Sequence, residues 1–244
     1  MRGWISLAAA ALAAAALGGC QQSDDAAFGQ KVKAYLMAHP EVLKAALQNL
    51  QDKDDQDEAK AEAAADKKAR ALLPSLRSVL EHDPRDFVAN PAGKVTVTEF
   101  YDYRCPHCIN IAPKVVALIR QQPNVRFVFK EMPIFGATSE HAARVALAAK
   151  AQGKDYVGLY AALMAQHDLG DDDVDRIARD KGVDLGKLPA AERADAAQIA
   201  DVAKLATELG IDGTPGFVVG DAIIHGEDYD ALTAAIAKAG KPAA

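Results

Sequence analysis

The sequence predicts an α/β fold: a mixed sheet flanked by helices, interrupted by a long helical insertion and preceded by a helical N-terminal segment. Three observations lead there. Val95 to Tyr101 alternates as a strand does, and Cys105-Pro106-His107-Cys108 then opens a segment with helical spacing. Further strand candidates at 125–131 and 217–224 are separated by an alanine-rich block. The resulting order, strand, helix, strand, helical block, two strands, helix, is that of a sheet with helices packed on it.

Composition sets the outer limits. The chain has 244 residues, half of them hydrophobic and a quarter charged, with a net charge of −6. That is ordinary for a soluble protein and excludes nucleic acid as the main partner. Residues 1–20 read as an export signal: Arg2, an apolar run from Ile5 to Leu17, then small residues. The run ends in Leu17-Gly18-Gly19-Cys20, similar to a bacterial lipobox, so Cys20 is the expected lipidation site. Ordinary cleavage near Gly19, leaving an incidental cysteine, is the alternative. Either way, Cys105 and Cys108 remain as one local pair among three cysteines. A bridge between them closes a tiny loop and adds little chain-entropy stabilisation, which argues against a structural staple.

The elements follow in order. Asp24 and Asp25 resemble a helix start, and Phe28, Val32, Tyr35 and Leu36 form an apolar stripe that His39-Pro40 interrupts. Leu43, Leu47 and Leu50 form a second stripe, and these short helical pieces over 21–50 need a surface to cover, either the downstream domain or the same segment of another chain. From 51 to 71 large apolar residues vanish, leaving alanine and mixed charge. This predicts a helical or flexible linker over 51–82 with a weak point near Asp54. Leu72, Leu73, Leu76, Val79 and Leu80 resume apolar spacing around Pro74 and are expected to dock on the domain at 83–244. In that domain Phe87-Val88 is a short strand and Val95–Tyr101 a central one. A helix runs to about Gln121, Val125 to Glu131 is a strand, and the helical insertion covers about 138–209. Phe217 to Ile224 is a hairpin about Gly220-Asp221, and Tyr229 to Lys238 is a closing helix.

The chemistry centres on the cysteine pair. Cys105 falls at a helix start, where Pro106 is tolerated because its missing N–H has no partner there anyway. Unpaired N–H groups and the positive end of the helix dipole favour a thiolate at that point. Its pKa is expected in the range of roughly 3.5–7.5, with the sulfur open to solvent. Cys108, a turn later, is expected to be more buried and less ionised, so Cys105 exchanges and Cys108 resolves. His107 between them stabilises the anion when protonated and makes the disulfide more oxidising. Glu99, within an apolar strand, is expensive to bury without a role. It is the candidate proton acceptor, with a raised pKa. Thr214-Pro215 precedes the hairpin, and by sequence alone that peptide bond is trans.

Glu99, Cys105-Pro106-His107-Cys108, Pro113 and Thr214-Pro215 ahead of a strand together resemble the thioredoxin superfamily. The Cys-Pro-His-Cys sequence and the long helical block resemble its DsbA-like branch over roughly 86–240. That resemblance implies a thioredoxin-like fold with an inserted helical domain and a redox-active Cys105–Cys108 disulfide. It also implies a cis bond before Pro215 and Thr214 backbone groups that pair with an extended substrate. Glu99 matches the family's buried acid. The run from Phe28 through Tyr35-Leu36 to His39-Pro40-Glu41-Val42-Leu43 is similar to the N-terminal region of ScsC-type proteins, linked to suppression of copper sensitivity. It implies a homo-oligomer, a dimer being favoured over a trimer. Thr214 before the proline resembles disulfide isomerases more than oxidases.

The expected function is therefore that of an exported thiol–disulfide oxidoreductase, a disulfide isomerase of the bacterial periplasm. It acts on unfolded or misoxidised exported proteins and is kept reduced by a membrane redox partner, with no cofactor and no bound metal. A monomeric DsbA-like oxidase is the alternative within that class. A Cu(I)-binding protein using both thiols is the alternative outside it.

Overall fold

A computed structural model describes residues 26–241; the expected export signal, the expected lipidation site Cys20 and the expected helix start at Asp24-Asp25 lie outside the described residues. The chain divides into two units, one to Glu62 and one from Ala63.

In the first unit, α1 covers 26–38 and α2 (Pro40–Glu81) begins after His39. The interruption sits where Pro40 pushes its predecessor out of the helical region. Phe28, Tyr35, Met37, Leu43, Leu47 and Leu50 are all exposed, so the two stripes predicted from spacing cover nothing within this unit.

Of the two forms expected for 51–82, helical or flexible, α2 takes the helical one. It is one helix of 42 residues, with no break near Asp54 and with Pro74 inside it. Alanine, glutamate and lysine carry the helix through the charged stretch on propensity, helped by pairs such as Arg70–Asp66 at 2.9 Å. Beyond it, Leu73 next to Pro74 and Leu80 further on are fully buried, so packing secures the helix past the missing N–H. Val79, expected to dock, is 45% exposed instead.

The second unit is built on a five-stranded sheet in the order β1-β3-β2-β4-β5: β1 (Phe87–Ala89), β2 (Val95–Tyr101), β3 (Val125–Glu131), β4 (Gly216–Val219) and β5 (Ala222–His225). β2 and β3 are parallel, joined by the crossover helix α3 (Pro106–Gln121); the other pairs are antiparallel. Between β3 and β4 run α4 (Ala137–Ala151), α5 (Tyr156–Met164), α6 (Asp171–Asp180) and α7 (Leu188–Glu208), and α8 (Tyr229–Ala239) closes the chain. β4 and β5 meet through Gly220-Asp221, with Val219 opposite Ala222. Gly220 takes φ +56°, the left-handed region a tight hairpin turn requires.

Alternation along β2 and β4 sends successive side chains to opposite faces of the sheet. Val97, Tyr101, Phe217 and Val219 join a core with Cys108, Ile111 and Tyr160 on one face. Phe100, Val218 and Ile223 join Leu73, Leu80 and Leu205 on the other. Polar ties seat the end of α2 on that second face. Thr98 donates to the Leu80 carbonyl at 3.1 Å, and buried Lys130 donates to the Val79 carbonyl at 2.6 Å and to Asp86. Burial lifts Asp86 to about 6 despite the ammonium beside it. Truncating Leu73 to alanine is expected to cost about 2–5 kcal/mol, read as a lower urea midpoint at unchanged m-value.

Candidate active site

The site is assembled at the C-terminal end of β2, where residues 102–105 turn the chain into α3. Cys105 is the N-cap, with φ −72° and ψ 120°, and Pro106 occupies the first helical position. Asp102, buried at 1% exposure, sets this turn. Its carboxylate accepts from Arg104 N at 2.7 Å and Ser139 Oγ at 2.8 Å, and from Ile134 N and Phe135 N at 2.6 and 3.0 Å. One side chain thus fixes the approach to Cys105 against the turn after β3.

Both cysteines are free thiols. The predicted exposure of Cys105 is corrected: the residue is 2% exposed, between exposed Pro106 and His107 on one side and the Thr214-Pro215 loop on the other. Its thiol donates to the Thr214 carbonyl at 3.0 Å. The Thr214-Pro215 bond is cis, where sequence alone predicts trans and the family resemblance implies cis.

The two thiols behave oppositely. Cys105 is lowered to about 5, chiefly because the Cys108 thiol hydrogen-bonds to its anion. Burial opposes this, and the N–H groups of Cys108 and His107 add to the lowering. Burial pushes Cys108 far above the ordinary thiol range, and its hydrogen bond to Cys105 adds to the rise. Thr214 Oγ1 is buried and has no partner.

Glu99 shares the face of Val97 and Tyr101, the face on which Cys108 packs. It is completely buried, and burial raises it to about 8. The Tyr160 hydroxyl donates to its Oε1 at 3.1 Å, while Oε2 has no partner. His107 is exposed, and its Nδ1 lies 3.1 Å from Glu227 Oε1. The carboxylate's hydrogen bond and charge raise the imidazole above its usual value.

Sequence reasoning missed Asp102, Tyr160 and Glu227. It also missed a second buried acid, Glu131, whose Oε1 accepts from the hydroxyls of Tyr101 and Tyr156, each at 2.5 Å. Burial raises Glu131 to about 8 as well. A Tyr-Asp-Tyr-Arg run immediately before the cysteine pair was the available signal for Asp102. Glu227 had none, because its partner lies 120 positions away.

Comparison with known proteins agrees with this geometry. A family model described as DSBA-like thioredoxin domain matches residues 96–237. The chain belongs to the DsbA-like thioredoxin family. A second model, the copper resistance protein ScsC N-terminal domain, matches residues 24–56. Among solved structures, a thioredoxin-like oxidoreductase from Silicibacter pomeroyi DSS-3 is 42% identical, covers 68% of this chain and 99% of its own, and gives a TM-score of 0.63. Proteus mirabilis ScsC in a transitional conformation is 25% identical over 91% of this chain and 97% of its own, also at 0.63. A curated relative, the Na(+)/H(+) antiporter NhaA 3 of Salinispora tropica, is 32% identical over 190 residues, or 73% of this chain. This DsbA-like chain spans only 29% of that relative's length. Among the described residues no helix is long and apolar enough to cross a membrane.

Proposed function

We propose that this DsbA-like protein is a thiol–disulfide oxidoreductase of the bacterial periplasm that shuffles disulfides in unfolded or misoxidised exported proteins. The observation that carries this reading is the opposed ionisation of two adjacent thiols, Cys105 lowered to about 5 and Cys108 raised by burial.

Cys105 thiolate attacks one sulfur of a substrate disulfide. That S–S bond breaks, a Cys105–substrate bond forms, and the second substrate sulfur leaves as a thiolate. In shuffling, a substrate thiolate then attacks the mixed disulfide and expels Cys105, so no net electrons move. In the reductive exit, Cys108 attacks the Cys105 sulfur and its proton passes to the Glu99 carboxylate. The substrate leaves reduced, two electrons have gone to it, and a membrane dithiol reductant must restore the pair. Thr214 and Pro215 border the sulfur and offer backbone to an extended substrate segment.

Exposed apolar residues of α1 and early α2, together with the match to the ScsC N-terminal model, support assembly with further copies through this segment. A lipid on Cys20 would hold the assembly at the membrane. Reduced full-length protein is expected to reactivate scrambled ribonuclease; failure while small-disulfide reduction persists would leave a plain oxidoreductase. Replacing Leu43, Leu47 and Leu50 by serine is expected to bring the mass in light scattering down to one chain and to weaken shuffling. An unchanged mass removes the segment from assembly.

A further inference from the structure

We propose that Glu227 is a positioning residue that acts on Cys105 through His107, holding the imidazole by Nδ1 beside the cysteine pair. This rests on the exchange reaction assigned above.

Three contacts and the chain between them close a circuit around the reactive sulfur. Cys105 Sγ donates to the Thr214 carbonyl at 3.0 Å. The next carbonyl, of Pro215, accepts from Gly226 N at 2.8 Å. Glu227 follows directly, and its Oε1 lies 3.1 Å from His107 Nδ1. His107 in turn belongs to the first turn of α3, capped by Cys105. The loop that carries Glu227 is held on both sides. Gly226, at φ +72°, turns the chain against Pro215, and Asp228 caps α8 by accepting from Ala231 N at 2.9 Å. A carboxylate mounted between two such ties presents its oxygen to His107 at small entropic cost.

The charged groups acting on the His107 ring are Glu227, from the loop before α8, and Cys105, from its own helix. Asp228 is committed to its cap, and the Lys114 ammonium lies over the Tyr229 ring, 4.9 Å from its centroid. Glu227 therefore has two effects of opposite sign. It keeps the imidazole protonated to higher pH, which favours the Cys105 thiolate. Its own negative charge, farther along the same line of contacts, opposes that thiolate slightly.

The two effects separate along the pH axis. Below the imidazole midpoint both wild type and Glu227→Gln carry a cation at position 107, and loss of the carboxylate leaves the dithiol form equally or slightly more favoured. Above it the variant has lost the cation and its dithiol form is less favoured. Because both partners are largely exposed, the change is modest, about two- to five-fold in the exchange equilibrium constant.

The test uses the full chain with Glu227→Gln, His107→Ser and the double variant. Equilibrium constants with glutathione are measured from pH 5.5 to 8, alongside the His107 titration by NMR. The expected results are a His107 midpoint falling toward about 6.5 and a variant-to-wild-type ratio that changes with pH. In the His107→Ser background Glu227→Gln should lose the pH-dependent effect, keeping at most a slight, pH-independent gain of the dithiol form. An unchanged His107 midpoint, a ratio constant across pH, or the same effect without His107 overturns the assignment. Absence of exchange in wild type would instead defeat the functional reading, and the NMR midpoint would still decide the role of Glu227.

Discussion

Cys105→Ser is expected to reduce disulfide shuffling and glutathione exchange to the uncatalysed background, while Cys108→Ser retains mixed-disulfide formation. The asymmetry follows from which sulfur is an anion at neutral pH. With Cys105 lowered to about 5, the sulfur is almost fully ionised at pH 7. An ordinary thiol near 8.5 is ionised to about 3%, so the thiolate gains roughly 30-fold in population. That gain does not become faster attack. Intrinsic nucleophilicity falls with pKa at a Brønsted slope near 0.4–0.5, which over this interval removes about the same factor. The advantage lies in departure: a sulfur that ionises easily is the better leaving group, so mixed disulfides turn over by expelling Cys105. Alkylation of the reduced protein by a small reagent should show a midpoint near pH 5, with serine at 105 removing that phase. Burial adds a second signature. A bulky reagent should react more slowly than a small one at every pH, because the Thr214-Pro215 loop covers a residue only 2% exposed. Ionisation also removes the proton that Sγ donates to the Thr214 carbonyl. Slow, pH-independent alkylation by the small reagent would defeat the assignment of Cys105 as the exchanging thiol.

The elements that were legible in the sequence are those with local punctuation. β2 and β3 occupy the predicted residues because alternating apolar runs are bounded by turn residues, Asn90-Pro91 and Gly93 before one and Pro123-Asn124 before the other. The hairpin was readable from Gly220-Asp221 between apolar triplets. α2 was not readable as one element. A stretch of alanine and mixed charge has the composition of either a helix or a disordered linker, and Pro74 resembles a stop. Burial of Leu73 and Leu80 against strands far along the chain secures the helix past Pro74, and that information is tertiary.

The site divides the same way. Both cysteines and Glu99 stand out locally, the one as a spaced thiol pair and the other as a carboxylate where the strand is otherwise apolar. Tyr160 reads as core in any sequence, and its hydroxyl gains meaning only from Glu99, 61 positions upstream. Glu131 at a strand end has the pattern of a solvent-facing residue, yet three tyrosines from β2, the following turn and α5 enclose it. Exposure of Cys105 was predicted from the helix start alone, and the cover comes from a loop more than a hundred positions away.

Glu99→Gln separates the stability of the fold from its chemistry. Glu99 is raised to about 8 by burial, so the folded state holds a proton that the unfolded chain releases near the ordinary carboxylate value of 4.5. The sign follows from linkage: this contribution to stability is fully present below about 4.5 and is lost as pH rises through about 8. Glutamine cannot ionise, so the variant should match wild type near pH 4 and exceed it at pH 8 by on the order of a few kcal/mol in urea unfolding of the reduced protein. Activity should move the other way. Burial raises Cys108 so far that its attack on the mixed disulfide calls for a proton acceptor within the core, and the buried Glu99 carboxylate on the same sheet face is the proposed group. Loss of a positioned base costs about 10²-fold or more, so the resolving step should slow by that order while the first attack by Cys105 is unaffected. In wild type the resolving rate should climb with pH toward about 8, following Glu99 ionisation, and in the variant that climb should vanish. Glu131→Gln is the matched control. Glu131 is likewise raised to about 8 by burial, so its removal should flatten the stability profile to a similar degree while leaving the resolving rate intact. If Glu99→Gln changes stability alone, as Glu131→Gln should, then Glu99 is a buried acid without a part in proton transfer, and Cys108 must lose its proton by another route.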